Sequence, residues 1–429
     1  MNRALHVAVL AVLVAVSLGV AWPSGSAAPP APSASDPVAA DGDEVLVVDD
    51  DGDAQFETIS EAVVFAEDGT TIRVRPGTYR ESVTVDENVT LVAPRGATLN
   101  GSTLGEQSVG ITLERNASVV VDGFTVAHYQ VGVDATGRQD AAWVIRNSTI
   151  ESASYESIRA TWSMGDWTIA NVTVANGSTG IDATKSTGDW TVRDTVVRNA
   201  TEGRAFDVSP SAGNWTIRNA TVVDADFVGV AASYSTGDWR VVNSTIRGTS
   251  VGIGALEATG DWTIARTTVA NASNERPYDM MMPPLREGVG VHAARTNGSW
   301  TIRNSRFVEN DVAAVDASDA VATGDATRNW WGSANGPEDE DCVGNVDCND
   351  TLTDWPSETT TRPLTTTSAV STVPSSNPTA PTSGSPASNS DSESGSTDES
   401  TSATPLSLVF AVVAIAGVML ALAHRGTDR

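Results

Sequence analysis

The sequence predicts an all-β solenoid, a chain wound into stacked coils of about 24 residues. Three observations lead there. Seven tryptophans, Trp143, Trp167, Trp190, Trp215, Trp239, Trp262 and Trp300, recur at spacings of 24, 23, 25, 24, 23 and 38. A period this short and regular is the mark of a repeat architecture. Each unit, such as Gly165-Asp-Trp-Thr-Ile-Ala-Asn-Val-Thr-Val174, is rich in β-branched residues that alternate with polar ones at period two, and is bounded by Gly, Asn and Asp. Fixed offsets from each Trp carry one residue type. Two residues on stand Ile145, Ile169, Val192, Ile217, Val241, Ile264 and Ile302; seven on stand Ile150, Val174, Val197, Val222, Ile246, Val269 and Phe307. These are inward columns of a stack whose coils lie about 4.8 Å apart. No helical periodicity and no Leu-x-x-Leu-x-Leu frame competes with this reading.

The elements follow in order. Residues 1–28 read as an export signal: Arg3, an apolar run from Ala4 to Val20, then small residues at Ser26, Ala27 and Ala28. The alternative is an uncleaved anchor. Residues 29–43 form a linker. Thr58-Ile-Ser-Glu61 fits a capping box. Ile59, Ala62, Val63 and Ala66 then follow helical spacing up to Gly69, so a short amphipathic helix is expected as a lid over the first coil. Four residues after each Trp come Asn147, Asn171, Asp194, Asn219, Asn243, Arg266 and Asn304. Asn tolerates the left-handed turn conformation and can bond to copies above and below, so this column is expected as a ladder with buried amides. The spacing of 38 holds one period plus a 14-residue insertion, around 274–288, which is the expected recognition loop.

The solenoid ends near residue 356. Residues 357–404 are almost wholly Thr, Ser, Pro, Asn, Gly, Asp and Glu, which cannot build a core and read as a solvated, O-glycosylated stalk. Residues 405–423 are apolar apart from Ser407 and are just long enough to span a bilayer. The tail 424–429 carries His424, Arg425 and Arg429, which keeps it cytoplasmic. The expected address is the cell surface, single-pass anchored, with the solenoid outside. In an exported chain, the only two cysteines, Cys342 and Cys348, fit a local disulfide better than a metal pair.

Composition sets limits on function. The chain of 429 residues carries a formal charge of −28, and Lys185 is its only lysine. Nucleic acid is excluded as a partner, because phosphate contacts need clustered positive charge. A hydrophobic content of 40% excludes wholesale disorder. The remaining reading is a folded halophilic protein, whose like charges are screened within a few ångström in concentrated salt.

A family resemblance rests on two segments. Phe56-Glu-Thr-Ile-Ser-Glu-Ala-Val63 with Thr71-Ile-Arg-Val-Arg-Pro-Gly-Thr-Tyr79-Arg-Glu81 resembles the opening of pectin-lyase-like right-handed parallel β-helix proteins. Asn329-Trp-Trp-Gly332, Gly336-Pro337 and Val343-Gly-Asn-Val-Asp347 resemble their closing segment. The resemblance implies a single-stranded right-handed parallel β-helix over 44–356. It does not imply one activity, since the superfamily holds lyases, hydrolases, esterases and non-catalytic surface proteins.

Candidate chemistry lies in four places. The Trp column is either an inward structural ladder or an exposed strip for sugar rings. The column before it, Asp166, Asp189, Asn214, Asp238 and Asp261, stacks carboxylates that repel by about 1 kcal/mol per pair even in a water-like dielectric. Either salt or bound Ca²⁺ must offset that. The run Asp49–Asp53 fails as an EF-hand loop, because Val47 and Thr58 stand where acids are needed.

The third place is an outward column, Asp134, Arg159, Asp182 and Asp207, continued by Ala231, Gly254, His292 and Asp316, with Lys185 and Arg204 nearby. Family enzymes place acids and a base on such a face. Asp182, Asp207, Arg159 and Lys185 are therefore the catalytic candidates, against a solvated charged face as the plain alternative. The fourth is Met280-Met-Met282 with His292, worth naming for copper in view of NosD-like β-helix proteins. Thirteen Asn-x-Ser/Thr sites occur, and Asn176, Asn199 and Asn271, at turns, are the better glycan candidates.

The function expected is extracellular binding, adhesion or envelope structure, with a glycan or an envelope protein as partner. The rivals are a polysaccharide lyase or hydrolase acting on acidic polysaccharide, and copper handling.

Overall fold

The computed structural model describes residues 44–355, apart from 115, 138–140, 202 and 275–284. The signal segment 1–28, the linker 29–43, the stalk 357–404, the apolar segment 405–423, the tail 424–429 and Met280–Met282 lie outside the described residues. Among the described residues, no helix is long and apolar enough to cross a membrane.

The chain winds as a parallel β-solenoid with three short strands per coil, for example Trp167–Ala170, Thr173–Ala175 and Thr179–Asp182. The third strands of successive coils form an eleven-stranded parallel sheet. The first and second strands join in a larger sheet of 21 strands. Strand formation follows from the repeated Trp-Thr-Ile and Thr-Val pattern: the apolar residues go in and the Thr residues stay half-exposed. Trp pairs with Trp and Ile with Val or Ile from coil to coil, in one register from Trp143 to Trp300. The 14-residue insertion leaves that register intact, because it leaves the coil after the strand Thr268–Ala272 and returns at Val289–His292.

All seven tryptophans point inward. Their rings stack with centroids 4.6–5.0 Å apart and planes within 3–8° of parallel, and the ladder is part of one continuous apolar core. Stacking follows from registry, since a ring repeated every coil meets its copy at strand spacing. The Gly two residues before each Trp from Trp167 to Trp300 marks a tight corner. A Cβ at Gly213 would lie 1.9 Å from the carbonyl oxygen of Gly188.

Each coil turns at residues with positive φ. Asn147, Asn171, Asp194, Asn219, Asn243, Arg266 and Asn304 all fall at φ 49–54°. Their side chains form the expected ladder: Asn171 Nδ2 donates to Asn147 Oδ1 at 2.9 Å, Asn219 to Asp194 at 2.8 Å and Asn243 to Asn219 at 2.7 Å. The expectation of buried amides is corrected. Asn147, Asn171, Asn219 and Asn243 are exposed, because a left-handed corner turns the side chain out while the next apolar residue turns in.

The helix at the front, Ile59–Val64, is shorter than the spacing suggested and ends at Phe65 rather than near Gly69. Thr58 Oγ1 accepts from Glu61 N, as the capping motif requires. The remaining end donors are met from outside: Glu81 accepts from Ile59 N and Ser60 N, both at 2.9 Å. Ile59, Ala62 and Val63 are buried against the first coils.

At the far end, Asn329 is fully buried and satisfied. Its amide donates to the carbonyls of Ile302 and Ala326 at 2.7 Å, and its Oδ1 accepts from Ser305 N at 2.9 Å. Trp331 then stacks on Phe307. Cys342 and Cys348 are joined in a disulfide.

Candidate functional site

The outer face of the eleven-stranded sheet is where charged groups converge. Register places Asp134, Arg159, Asp182, Asp207, Ala231, Gly254, His292 and Asp316 in one row, as the spacing predicted. The acids are oriented by their own turns. Asp134, Asp182, Asp207 and Asp316 each give one carboxylate oxygen to the backbone N–H two residues on. This Asp-x-Ser/Thr turn explains part of the column without any ligand.

In Asp134, Asp207 and Asp316 the second oxygen meets a cation. Arg159 Nη1 lies 3.1 Å from Asp134 Oδ2, and its Nε bonds to Glu156. Arg204 pairs with Asp207. Lys185 does not join the acids; its ammonium sits 4.6 Å over the ring of Trp162. Among the described residues, no basic side chain forms an ion pair with Asp182.

Three members of this site escaped the sequence reading. Glu156 is buried within the face. Its burial, opposed by Arg159 and reinforced by Asp182, pushes its carboxyl up to about 7. Burial likewise raises Asp207 against the pull of Arg204. For Arg159, burial disfavours the charge, but Glu156 and Asp134 outweigh it and raise its pKa. Tyr155 and Trp162 are the other two, 54% and 55% exposed, one on either side of the strand Glu156–Arg159. Trp162 is legible in hindsight as a tryptophan off the period. It holds φ +61°, costly for a bulky residue, in a turn column shared with Lys185, Tyr234, Glu257 and Arg295. Glu156 carried no such signal, because the equivalent positions are Val131, Thr179, Arg204 and Val228.

The face changes character past Asp207. Phe227, Val228, Ala231 and Val251 form an apolar patch on which Leu285, the described foot of the insertion, rests. A Cβ at Gly254 would meet Leu285 at 3.1 Å. Arg286 ties the same foot to Asp316 at 2.9 Å. Burial works to raise Asp316, but hydrogen bonds from Ser318 and Arg286 outweigh it and hold the carboxyl low. Burial lowers His292 in turn. The charged part of the face therefore runs from Asp134 to Asp207 and stops at Leu285.

The Asp column before the tryptophans lies elsewhere, on the larger sheet. Asp166 Oδ1 accepts from Asp189 N, Asp189 from Asn214 N, Asn214 from Asp238 N, Asp238 from Asp261 N and Asp261 from Ser299 N, at 2.8–3.0 Å. Each side chain caps the next coil's backbone, which offsets part of the repulsion between neighbours. Asp238 and Asp261, with Arg240, Thr323 and Asp325, also line a groove of about 530 Å³. Carboxylates one coil apart put every third one about 10 Å away, so the column does not gather three around a point. Among the described residues only Asp49, Asp50 and Asp51 bring three carboxylates within 4.8 Å. Two of these are engaged, Asp49 by Arg75 at 2.6 Å and Asp50 by Thr78 N at 2.9 Å. Of the sequons, Asn176, Asn199 and Asn271 sit at positive φ on a second turn column, where Asn199 Nδ2 donates to Asn176 Oδ1 at 2.9 Å.

Comparison with known proteins agrees with this geometry at the level of the fold. The family described as a right handed beta helix region matches residues 88–246. Among solved structures the chain is similar to a pectate lyase, with 13% identity, 74% of this chain and 83% of that one covered, and a TM-score of 0.45. It is also similar to a pectin methylesterase from Aspergillus niger, with 15% identity, 58% and 94% covered, and a TM-score of 0.37. A pectin methylesterase from carrot follows at 15% identity, 55% and 86% covered, and a TM-score of 0.34. No curated protein sequence matches the chain.

Proposed function

We propose that the protein is a cell-surface β-helix that binds a saccharide chain on the outer face of its eleven-stranded sheet. One observation carries the reading: two exposed rings, Tyr155 and Trp162, bracket a polar centre formed by Glu156, Arg159, Asp182 and Asp207. A sugar ring offers apolar C–H faces and a rim of hydroxyls. Aromatic faces take the first, and fixed carboxylates and guanidiniums take the second. The Trp ladder is buried and takes no part.

The rest of the reading rests on sequence. The signal at 1–28 exports the chain, 357–404 is the stalk, 405–423 anchors it, and the acidic surface suits concentrated salt. The helix Ile59–Val64 serves as the lid of the first coil. Asn176, Asn199 and Asn271 are the preferred glycan sites. The test is binding of the intact protein to an array of glycans at high salt. Retention lost in Tyr155→Ala and Trp162→Ala, with unchanged melting, supports the reading; retention unaffected by both removes it.

A second reading has its own support. Glu156, a carboxyl that holds its proton up to about 7, shares a hydrogen bond with Asp182. Such a group has the form of a general acid, so the same face would then cleave the chain it binds. Product release from a bound polysaccharide, abolished in Asp182→Asn, would establish turnover; binding without cleavage sets that reading aside.

A further inference from the structure

The charges of the face select among saccharides. We infer that it takes a chain carrying free amino groups, with an ammonium seated at Asp182, and that it rejects polyuronates. The inference rests on the saccharide-binding reading above.

The first observation is the state of the cations. A uronate carboxylate needs an uncommitted guanidinium or ammonium. Arg159 is clamped between Asp134 and Glu156. Arg204 is bonded to Asp207, and its side chain is only 8% exposed. A ligand carboxylate would have to displace a native carboxylate from either one, and leave that acid unpaired in a part-buried site. Lys185 is drawn aside over Trp162.

The second observation is the state of the acids. Asp182 sits at the centre of the row, between Arg159 and Asp207 in register. One of its oxygens accepts from Thr184 N at 2.8 Å, and its carboxyl faces that of Glu156. Two facing carboxyls, with no cation paired to Asp182 among the described residues, match the three donors of an alkylammonium.

The rings are the third observation. Both already hold a cation near a face: Arg159 lies 5.7 Å from the Tyr155 centroid and Lys185 4.6 Å from that of Trp162. A ligand carboxylate would have to draw either cation off its ring. The net charge of −28 acts in the same sense, repelling polyanions and concentrating cations at the surface.

The test compares three tetrasaccharides on the intact protein at one ionic strength: glucosamine, N-acetylglucosamine and galacturonate tetramers. The glucosamine tetramer should bind about tenfold more tightly than its acetylated form, the gain of one charge-assisted hydrogen bond, and the galacturonate tetramer should not bind. Asp182→Asn, which keeps the acceptor to Thr184 N, should bring the two glucosamine-type ligands to parity. Glu156→Gln should narrow the gap in the same direction. Equal affinity for amino and acetylated tetramers, or binding of galacturonate at comparable strength, overturns the inference while leaving saccharide binding standing. Binding of none of the three, at concentrations where the intact protein retains other glycans, also overturns it. Retention of no glycan at all removes the underlying reading with it.

Discussion

Trp190 and Trp215 stack face to face, ring centroids 5.0 Å apart and planes 3° from parallel. Trp215 is in turn stacked on Trp239 at 4.9 Å, so each inner ring contributes to two interfaces. Removing one leaves a gap in a column that cannot close, because both neighbours are fixed by their own strands. Trp215→Ala should therefore cost about 3–5 kcal/mol in urea denaturation. Trp215→Phe should cost clearly less. A loss below about 1 kcal/mol for the Ala variant would contradict a buried ladder.

The asparagine ladder separates backbone from side-chain effects. Asn219 holds φ +51°, donates to Asp194 and accepts from Asn243. Asn219→Ala loses both bonds and places a Cβ residue without local compensation in the left-handed region, a cost of about 1–2 kcal/mol for the conformation plus about 1 kcal/mol per bond. Asn219→Gly relieves the first part alone. The expected order of melting temperature is wild type, then Gly, then Ala. Ala and Gly variants of equal stability would show that the φ angle carries no cost there.

The Asp column should govern salt dependence. Asn214 already fills one position, accepting from Asp238 N as its acidic neighbours accept from theirs. Asp189→Asn with Asp238→Asn thus keeps the backbone caps and removes two like charges. The double variant should show a smaller rise of melting temperature with added monovalent salt than the wild type. An unchanged slope would place the salt effect elsewhere on the surface.

Glu156 makes a prediction about pH. Burial, against the pull of Arg159, raises its carboxyl from the ordinary 4.5 to about 7 in the folded protein. The unfolded chain gives up that proton more easily, so this contribution to stability is complete below about 4.5 and is lost as pH rises to about 7. Glu156→Gln cannot titrate. Its stability should fall less than the wild type's between those values, in denaturation at pH 4.5 and pH 7.5. Asp207 is shifted in the same direction and is common to both proteins, so the difference isolates Glu156. Parallel curves would mean that Glu156 keeps an ordinary pKa.

The parts of the fold that repeat were legible, and the parts of the face that do not repeat were not. Trp, Ile and Asn recur at fixed offsets because every coil solves the same packing problem, so their columns can be read by counting. Arg159, Asp182 and Asp207 were found by the same counting. Glu156 breaks its column; the register pairs it with Thr179, and its side chain reaches Asp182 only across the packed face. Lys185 was counted among the acids but turns to Trp162, because its backbone lies in the corner after the strand and not on the sheet. The Asn amides were misread as buried because spacing reports position along the chain and not the sign of φ.

By itself, the sequence determined a solenoid of about 24-residue coils, its stacked columns and the row that carries charge. A period and a hydrophobic alternation are local properties, and stacking identical coils adds no new choice. The tertiary structure decided which charges neutralise one another, which carboxyl keeps its proton and which aromatic rings face solvent. Those depend on distances between coils and on burial, and side chains 25 residues apart acquire them only when the strands are laid side by side.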